Sequence, residues 1–174
     1  MPVFDVAARR QIVVAADAAR VFEAARARPL MQTALARRLL ALRALPARLD
    51  TEGSPEDDSV FIVLAEVARR EVVFGFAGRF WHPSRNITRL KDADGWRGFA
   101  AQGSARSAVN FQVEAMGAGQ SLLHTETRIQ CFGAGARRAF KLYWLAAGPF
   151  SGWIREDWLR SVAQAAEQAA EGQR

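Results

Sequence analysis

The strongest constraint on the fold is a change of hydrophobic period near Ala134. Before it, Ala108–Met116 (AVNFQVEAM) alternates apolar and polar residues, Gly117-Ala118-Gly119 forms a turn signal, and Ser121–Phe132 (SLLHTETRIQCF) alternates again. Period-2 alternation on both sides of a glycine turn predicts a β-hairpin with one buried face. After Ala134 the apolar residues recur at helical spacing: Phe140, Tyr143, Trp144 and Ala147, then Ile154, Trp158, Val162 and Ala166, with Leu159 and Ala163 beside them. Each element has an apolar face that it cannot bury alone, so the helix is expected to cover one face of the sheet. Gly148, Pro149 and Gly152 interrupt this stripe in its middle. Gly148 can end a helical segment, Pro149 lacks the amide to continue it, and Ser151 can cap a restart. The expectation is a terminal helix bent or divided at Gly148–Gly152.

Upstream, Arg9–Ala15 reads as a first strand. Asp17 offers a helix N-cap, and Val21, Phe22 and Ala25 share one side of the short helix that follows. Leu35, Leu39 and Leu42 form a second helical stripe within Leu30–Leu45, ended near Pro46. Asp50–Ser59 is acidic, contains Gly53 and Pro55, and reads as a loop. Ser59–Trp81 is rich in β-branched and aromatic residues, broken at Ala68-Arg69-Arg70, and reads as another hairpin. Asn86–Arg89 reads as a further short strand, while the stretch from Lys91 to Arg106 is turn-like or weakly helical. The order is strand, two short helices, a strand meander and a long C-terminal helix. This is an α+β pattern with an antiparallel sheet, and the 174 residues suit one domain spanning 1–174.

Composition narrows the function. Cys131 is the single cysteine, which excludes an internal disulfide and a thiolate cluster and makes a reducing cytoplasm the simplest location. The apolar runs fall short of the ~20 residues a spanning helix needs, and the N-terminus lacks the apolar core of a secretory signal. The net charge is +6, but the basic pairs Arg9–Arg10, Arg37–Arg38, Arg69–Arg70 and Arg137–Arg138 fall on separate elements. A nucleic-acid reader would gather them on one face, so no nucleic-acid partner is expected.

His82 and His124 are the only histidines, and no metal-ligand spacing surrounds them. No nucleophile elbow, P-loop or dinucleotide fingerprint is present. No metal, cofactor or catalytic residue is therefore assigned. The polar residues that stand out lie inside strands: Glu66, Arg79, Asn110, Glu126 and Arg128. Residues two apart share a face, so His124, Glu126 and Arg128 project together. If that face is concave, Arg79 or Arg128 can orient a ligand carboxylate or phenolate while Glu66 or Glu126 holds the guanidinium. If it is convex, the same residues form a salt-bridged outer surface. On the preceding hairpin Phe74, Phe76 and Phe80 share one face. Gly75, Ala77, Arg79 and Trp81 share the other, where small side chains leave room for a ligand or a helix.

The segments IVVAADAARVFEAARA, REVVFGFAGRFW, SLLHTETRIQC and ARRAFKLYWLAAGPFSGWIREDWLRSV resemble the START-like superfamily, also called SRPBCC or polyketide cyclase/lipid transport, in its uncharacterised bacterial branch. The resemblance implies a helix-grip fold, with a curved antiparallel sheet wrapped around a long kinked C-terminal helix and a cavity between them. It places Trp144 at the cavity or its mouth, with Trp153 and Trp158 packed near the opposite end. The alternative is that all three rings are simply core. Glu66, Arg79, Trp81, Asn110, Glu126, Arg128 and Trp144 are the candidate ligand contacts. The superfamily includes carriers, receptors, cyclases and co-chaperones, so fold does not dictate activity. The expected function is non-catalytic binding of a lipid- or polyketide-like small molecule. The alternatives are an aromatase/cyclase-type enzyme acting on such a chain, and an interaction protein using aromatics around Gly148–Trp158.

Overall fold

A computed structural model describes residues 1–27, 61–82 and 86–171. The elements are β1 (Val6–Val14), α1 (Ala18–Ala27), β2 (Ile62–Val67), β3 (Glu71–Arg79), β4 (Asn86–Thr88), α2 (Ala93–Gly98), β5 (Ala105–Gly117), β6 (Gln120–Cys131) and α3 (Ala134–Glu171). The second helix expected over Leu30–Leu45 and the acidic loop Asp50–Ser59 lie outside the described residues. The six strands form one curved, unclosed antiparallel sheet in the order β1-β6-β5-β3-β2, with β4 paired to β3. The long C-terminal helix packs against it, giving the α+β arrangement expected.

The hairpin that alternation predicts forms as β5–β6, and the one that β-branched and aromatic density predicts forms as β2–β3. In the β5–β6 turn Ala118 and Gly119 have φ of 51° and 74°, the left-handed pair that matches the twist of a two-residue hairpin loop. In α1 the Asp17 carboxylate accepts from the Arg20 amide at 3.0 Å, so the N-cap is made.

One face of the sheet carries the core, and alternation shows which. Ala105, Ser107, Val109, Phe111 and Val113 of β5 are buried, as are Ser121, Leu123, Thr125, Thr127, Ile129 and Cys131 of β6. These residues form the inner face, which α1 and α3 cover. Val21, Phe22 and Ala25 of α1 pack there with Trp158, Leu159 and Val162 of α3. The ring centroids of Phe111 and Trp158 lie 3.9 Å apart. A second cluster forms around Phe140, with Ala105, Ile129, Cys131 and Ala136. Asp5 fixes the entry to α3: its carboxylate accepts from the Cys131 amide at 2.8 Å and from Arg137 Nε at 2.6 Å.

The outer face is capped by α2. Trp96 is buried there and its indole N–H donates to the Ser107 carbonyl at 3.1 Å. Gly75 leaves room for Leu64 of β2, whose Cδ1 would lie 2.7 Å from a Cβ there.

Of the two forms expected at Gly148–Gly152, a bend or a division, the division is not made: α3 runs as a single 38-residue helix with Pro149 inside it and no restart capped by Ser151. Pro149 has no amide proton, so the Leu145 carbonyl loses its intrahelical donor. The surrounding tertiary packing, rather than local propensity, carries the helix across this position. Among the described residues, no helix is long and apolar enough to cross a membrane.

Candidate functional site

The side chains that face α3 from the sheet differ from those its charges first indicate. Glu126 and Arg128 do stand together, with Nε–Oε1 at 2.8 Å, and Arg9 of β1 reaches Glu126 Oε2 at 2.8 Å. This group lies on the outer face, because the buried odd-numbered residues of β6 occupy the inner one. The Glu126 carboxyl is held below the usual range, first by its hydrogen bond from Arg128 and also by Arg9, against the opposing effect of burial. Asn110 is part of the same surface: it accepts from the Glu126 amide at 2.8 Å and donates to Glu71 Oε1 at 2.7 Å. His124 shares this face, with its Nε2 3.9 Å from Glu114. Arg79 is exposed at the end of β3, its guanidinium against the Gly103 turn. Glu66 stands at the rim of the inner side, opposite Val72 and 3.4 Å from Arg26 of α1.

Two of the aromatic candidates do come together against α3. Trp81 lies 5.3 Å from Phe140, and Trp144 stacks on the same Phe140 with centroids 5.7 Å apart. Phe80 joins them at 5.7 Å from Phe140, and Phe76 continues the row at 4.9 Å from Phe80. Phe74, Phe76, Phe80, Trp81 and Trp144 are each only half-buried. Trp158 is fully buried in the core, whereas Trp153 is exposed rather than packed.

The inner wall also carries polar groups. Ser107, Thr125 and Thr127 alternate in register with Val109, Phe111, Leu123 and Ile129. The Ser107 and Thr125 hydroxyls are buried with no hydrogen-bond partner among the described residues. From α3, Arg155 enters this layer only 5% exposed. Its Nε donates to Thr127 Oγ1 at 3.2 Å and its Nη1 to the Ser151 carbonyl at 3.1 Å, while the Trp144 ring lies 5.9 Å from its Cζ. Burial first, then the nearby Arg10 charge, lowers its guanidinium to about 10, which leaves it charged at neutral pH. Arg10 approaches from β1, paired in register with Thr125. A Cβ at Gly152 would stand 3.0 Å from Arg10 Nη2, so the absent side chain makes room for that guanidinium. Gly148 plays the same part for Trp144, whose indole nitrogen lies 3.3 Å from the Cβ position there. The two glycines that interrupt the stripe therefore seat a ring and a cation.

Arg155, Arg10 and the three hydroxyl residues are not among the residues that strand charge marks as candidates. A signal for Arg155 was present: residues 144, 148, 151, 155 and 158 follow one helical stripe, and an arginine within it is out of place on an apolar face. Charged strand residues drew attention to the even positions of β6, while the hydroxyls sat on the odd ones.

Among the described residues, no group of three His, Cys, Asp or Glu side chains stands close enough to hold a metal ion. Cys131 is buried, and its thiol is pushed up to about 11, mainly by burial, which makes it a poor nucleophile.

No protein-family model matches the chain, and no curated protein does. Solved structures do. A conserved protein from Geobacillus kaustophilus is 7% identical with a TM-score of 0.48, covering 94% of this chain and 97% of its own. A protein from Mesorhizobium loti is 15% identical with a TM-score of 0.46, covering 94% of this chain and 98% of its own. The Zhui aromatase/cyclase from Streptomyces sp. R1128 is 10% identical with a TM-score of 0.34, over 95% of both chains.

Proposed function

We propose that this chain binds a hydrophobic or amphipathic small molecule, lipid- or polyketide-like, between the inner face of the sheet and α3. The observation that carries the reading is the pair of buried hydroxyls, Ser107 and Thr125, without hydrogen-bond partners among the described residues, on a largely apolar wall. A buried polar group left unpaired costs about 1–3 kcal/mol, so natural interiors rarely keep one without a use. The half-buried aromatic row from Phe76 to Trp144 supplies the complementary apolar surface. Apolar walls with a few placed polar groups are the usual make-up of small-molecule sites. Of the original candidates, Trp81 and Trp144 belong to this site and Glu66 stands at its rim. Arg79, Asn110, Glu126 and Arg128 serve the outer surface instead.

The test is calorimetric titration of the purified protein with neutral lipophiles, decanol and naphthylethanol. Saturable binding is expected, and Trp144→Ala should weaken it about two- to tenfold, the range of one aromatic contact. If neither compound binds, and protein taken directly from cells carries no lipophile in native mass spectrometry, the reading fails.

A further inference from the structure

We infer that the ligand carries an anionic group, a carboxylate or one of similar geometry, and that Arg155 with Arg10 receives it. This deepens the binding reading above and rests on it. Arg155 is nine-tenths buried or more, and its three nitrogens are unequally used: Nε and Nη1 donate to Thr127 and to the Ser151 carbonyl, while Nη2 has no acceptor among the described residues. Arg10 is likewise without a carboxylate: its Nη1 donates to the Arg9 carbonyl, and its Nη2 lies against Gly152, one helical turn from Arg155. Several other arginines, by contrast, are matched with acids, on the outer face of the sheet and along α3. Arg9 and Arg128 share Glu126, Arg137 meets Asp5, and Arg160 meets Glu156.

Arg155 is buried in this layer and Arg10, itself exposed, reaches it from the rim; two like charges converging there repel each other, an arrangement that an anion relieves. Guanidinium groups match carboxylates through paired donors, and a partner held away from water is bound more strongly than one at the surface. Thr125 lies opposite Arg10 in the sheet register, so its unpaired hydroxyl adds a donor from the same wall. Trp144, facing Arg155 on one side and Phe140 on the other, joins the charged end of the site to the aromatic row. The ligand class is thus an apolar or aromatic body ending in an acid.

Matched pairs test this: decanoate against decanol, and naphthylacetate against naphthylethanol, titrated into the intact protein at pH 8, with sodium acetate as the bare anion. The acids are expected to bind at least tenfold more tightly than the alcohols, with acetate too weak to saturate. Arg155→Met should abolish that preference. It should also raise the melting temperature of the unliganded protein, because an uncompensated buried charge is replaced by an apolar chain. Arg10→Gln should reduce the preference in part. Equal affinity for acid and alcohol in the unsubstituted protein overturns the inference and leaves small-molecule binding standing. So does an acid preference that survives Arg155→Met. A melting temperature that falls in Arg155→Met, with acid preference intact in Arg155→Gln, assigns the arginine a structural role and also overturns it. Binding of neither pair removes this inference together with the reading beneath it.

Discussion

Glu126 illustrates how a residue's role follows from which face it occupies. Its carboxylate accepts from Arg9 and Arg128, and its backbone amide donates to Asn110, so β1, β6 and β5 are tied together on the outer surface. Glu126→Gln is expected to destabilise the protein by about 1 kcal/mol at neutral pH, the scale of a partly exposed charged network. Because the folded-state pKa is depressed, the native sheet favours the ionised form. The contribution is therefore fully present above the ordinary carboxyl value of about 4.3. It is lost as pH falls through the lowered folded value. Denaturant titrations of both proteins at neutral and acidic pH should show the gap closing toward low pH. Affinity for lipophiles should be unchanged, since this carboxylate lies on the far side of the sheet from α3.

At the scale of elements, periodicity carried much of the fold, because alternation and helical spacing report burial directly. The β5–β6 hairpin and the core stripe of α3 from Trp158 to Ala166 follow that logic, and their buried residues are the ones the pattern marks. Face orientation was not legible in the same way. The even residues of β6 are conspicuous by charge, but charge alone does not distinguish an outer network from an inner site. The burial of the odd-numbered residues of β6 against α3 reveals it. Whether α3 bends or divides at Gly148–Gly152 was not legible either: local breakers allow an end, and tertiary packing keeps the helix continuous. Gly148 and Gly152 are small for what lies beside them, Trp144 and Arg10, rather than for a cap. That argument leaves Pro149 as the residue with a local cost. Pro149→Ala restores a donor to the Leu145 carbonyl, and proline inside a helix costs about 3 kcal/mol relative to alanine. An increase in stability of about 1–3 kcal/mol is expected in chemical denaturation, with less than the full amount where the helix has already adjusted. A decrease would mean that the proline's local geometry is needed to bring Arg155 and Trp144 to the sheet.

Across the whole molecule, the two ends of α3 are held unequally. The C-terminal part buries Trp158, Leu159, Val162, Ala163 and Ala166 in the larger core with α1 and the centre of the sheet. The N-terminal part is anchored by Phe140 and by Asp5 at its start, but Leu142, Leu145, Phe150 and Trp153 point away from the core. Between the anchors stands the stretch with Pro149, next to the buried cation. Local opening is governed by buried apolar contact and by intact backbone hydrogen bonds, so amide exchange should divide the helix. Residues 156–168 are expected to exchange only with global unfolding, whereas residues 145–153 should exchange orders of magnitude faster in the unliganded protein. An anionic lipophile that joins Arg10 on β1 to Arg155 on α3 would bridge sheet and helix at that weaker stretch. Binding should therefore slow exchange most at residues 145–155 and scarcely change it beyond Trp158. Hydrogen–deuterium exchange read by mass spectrometry, with and without naphthylacetate, measures both halves of the expectation. Uniform protection along α3 would show that the core grips the whole helix equally. A ligand effect confined to the C-terminal half would place the bound molecule away from Arg155.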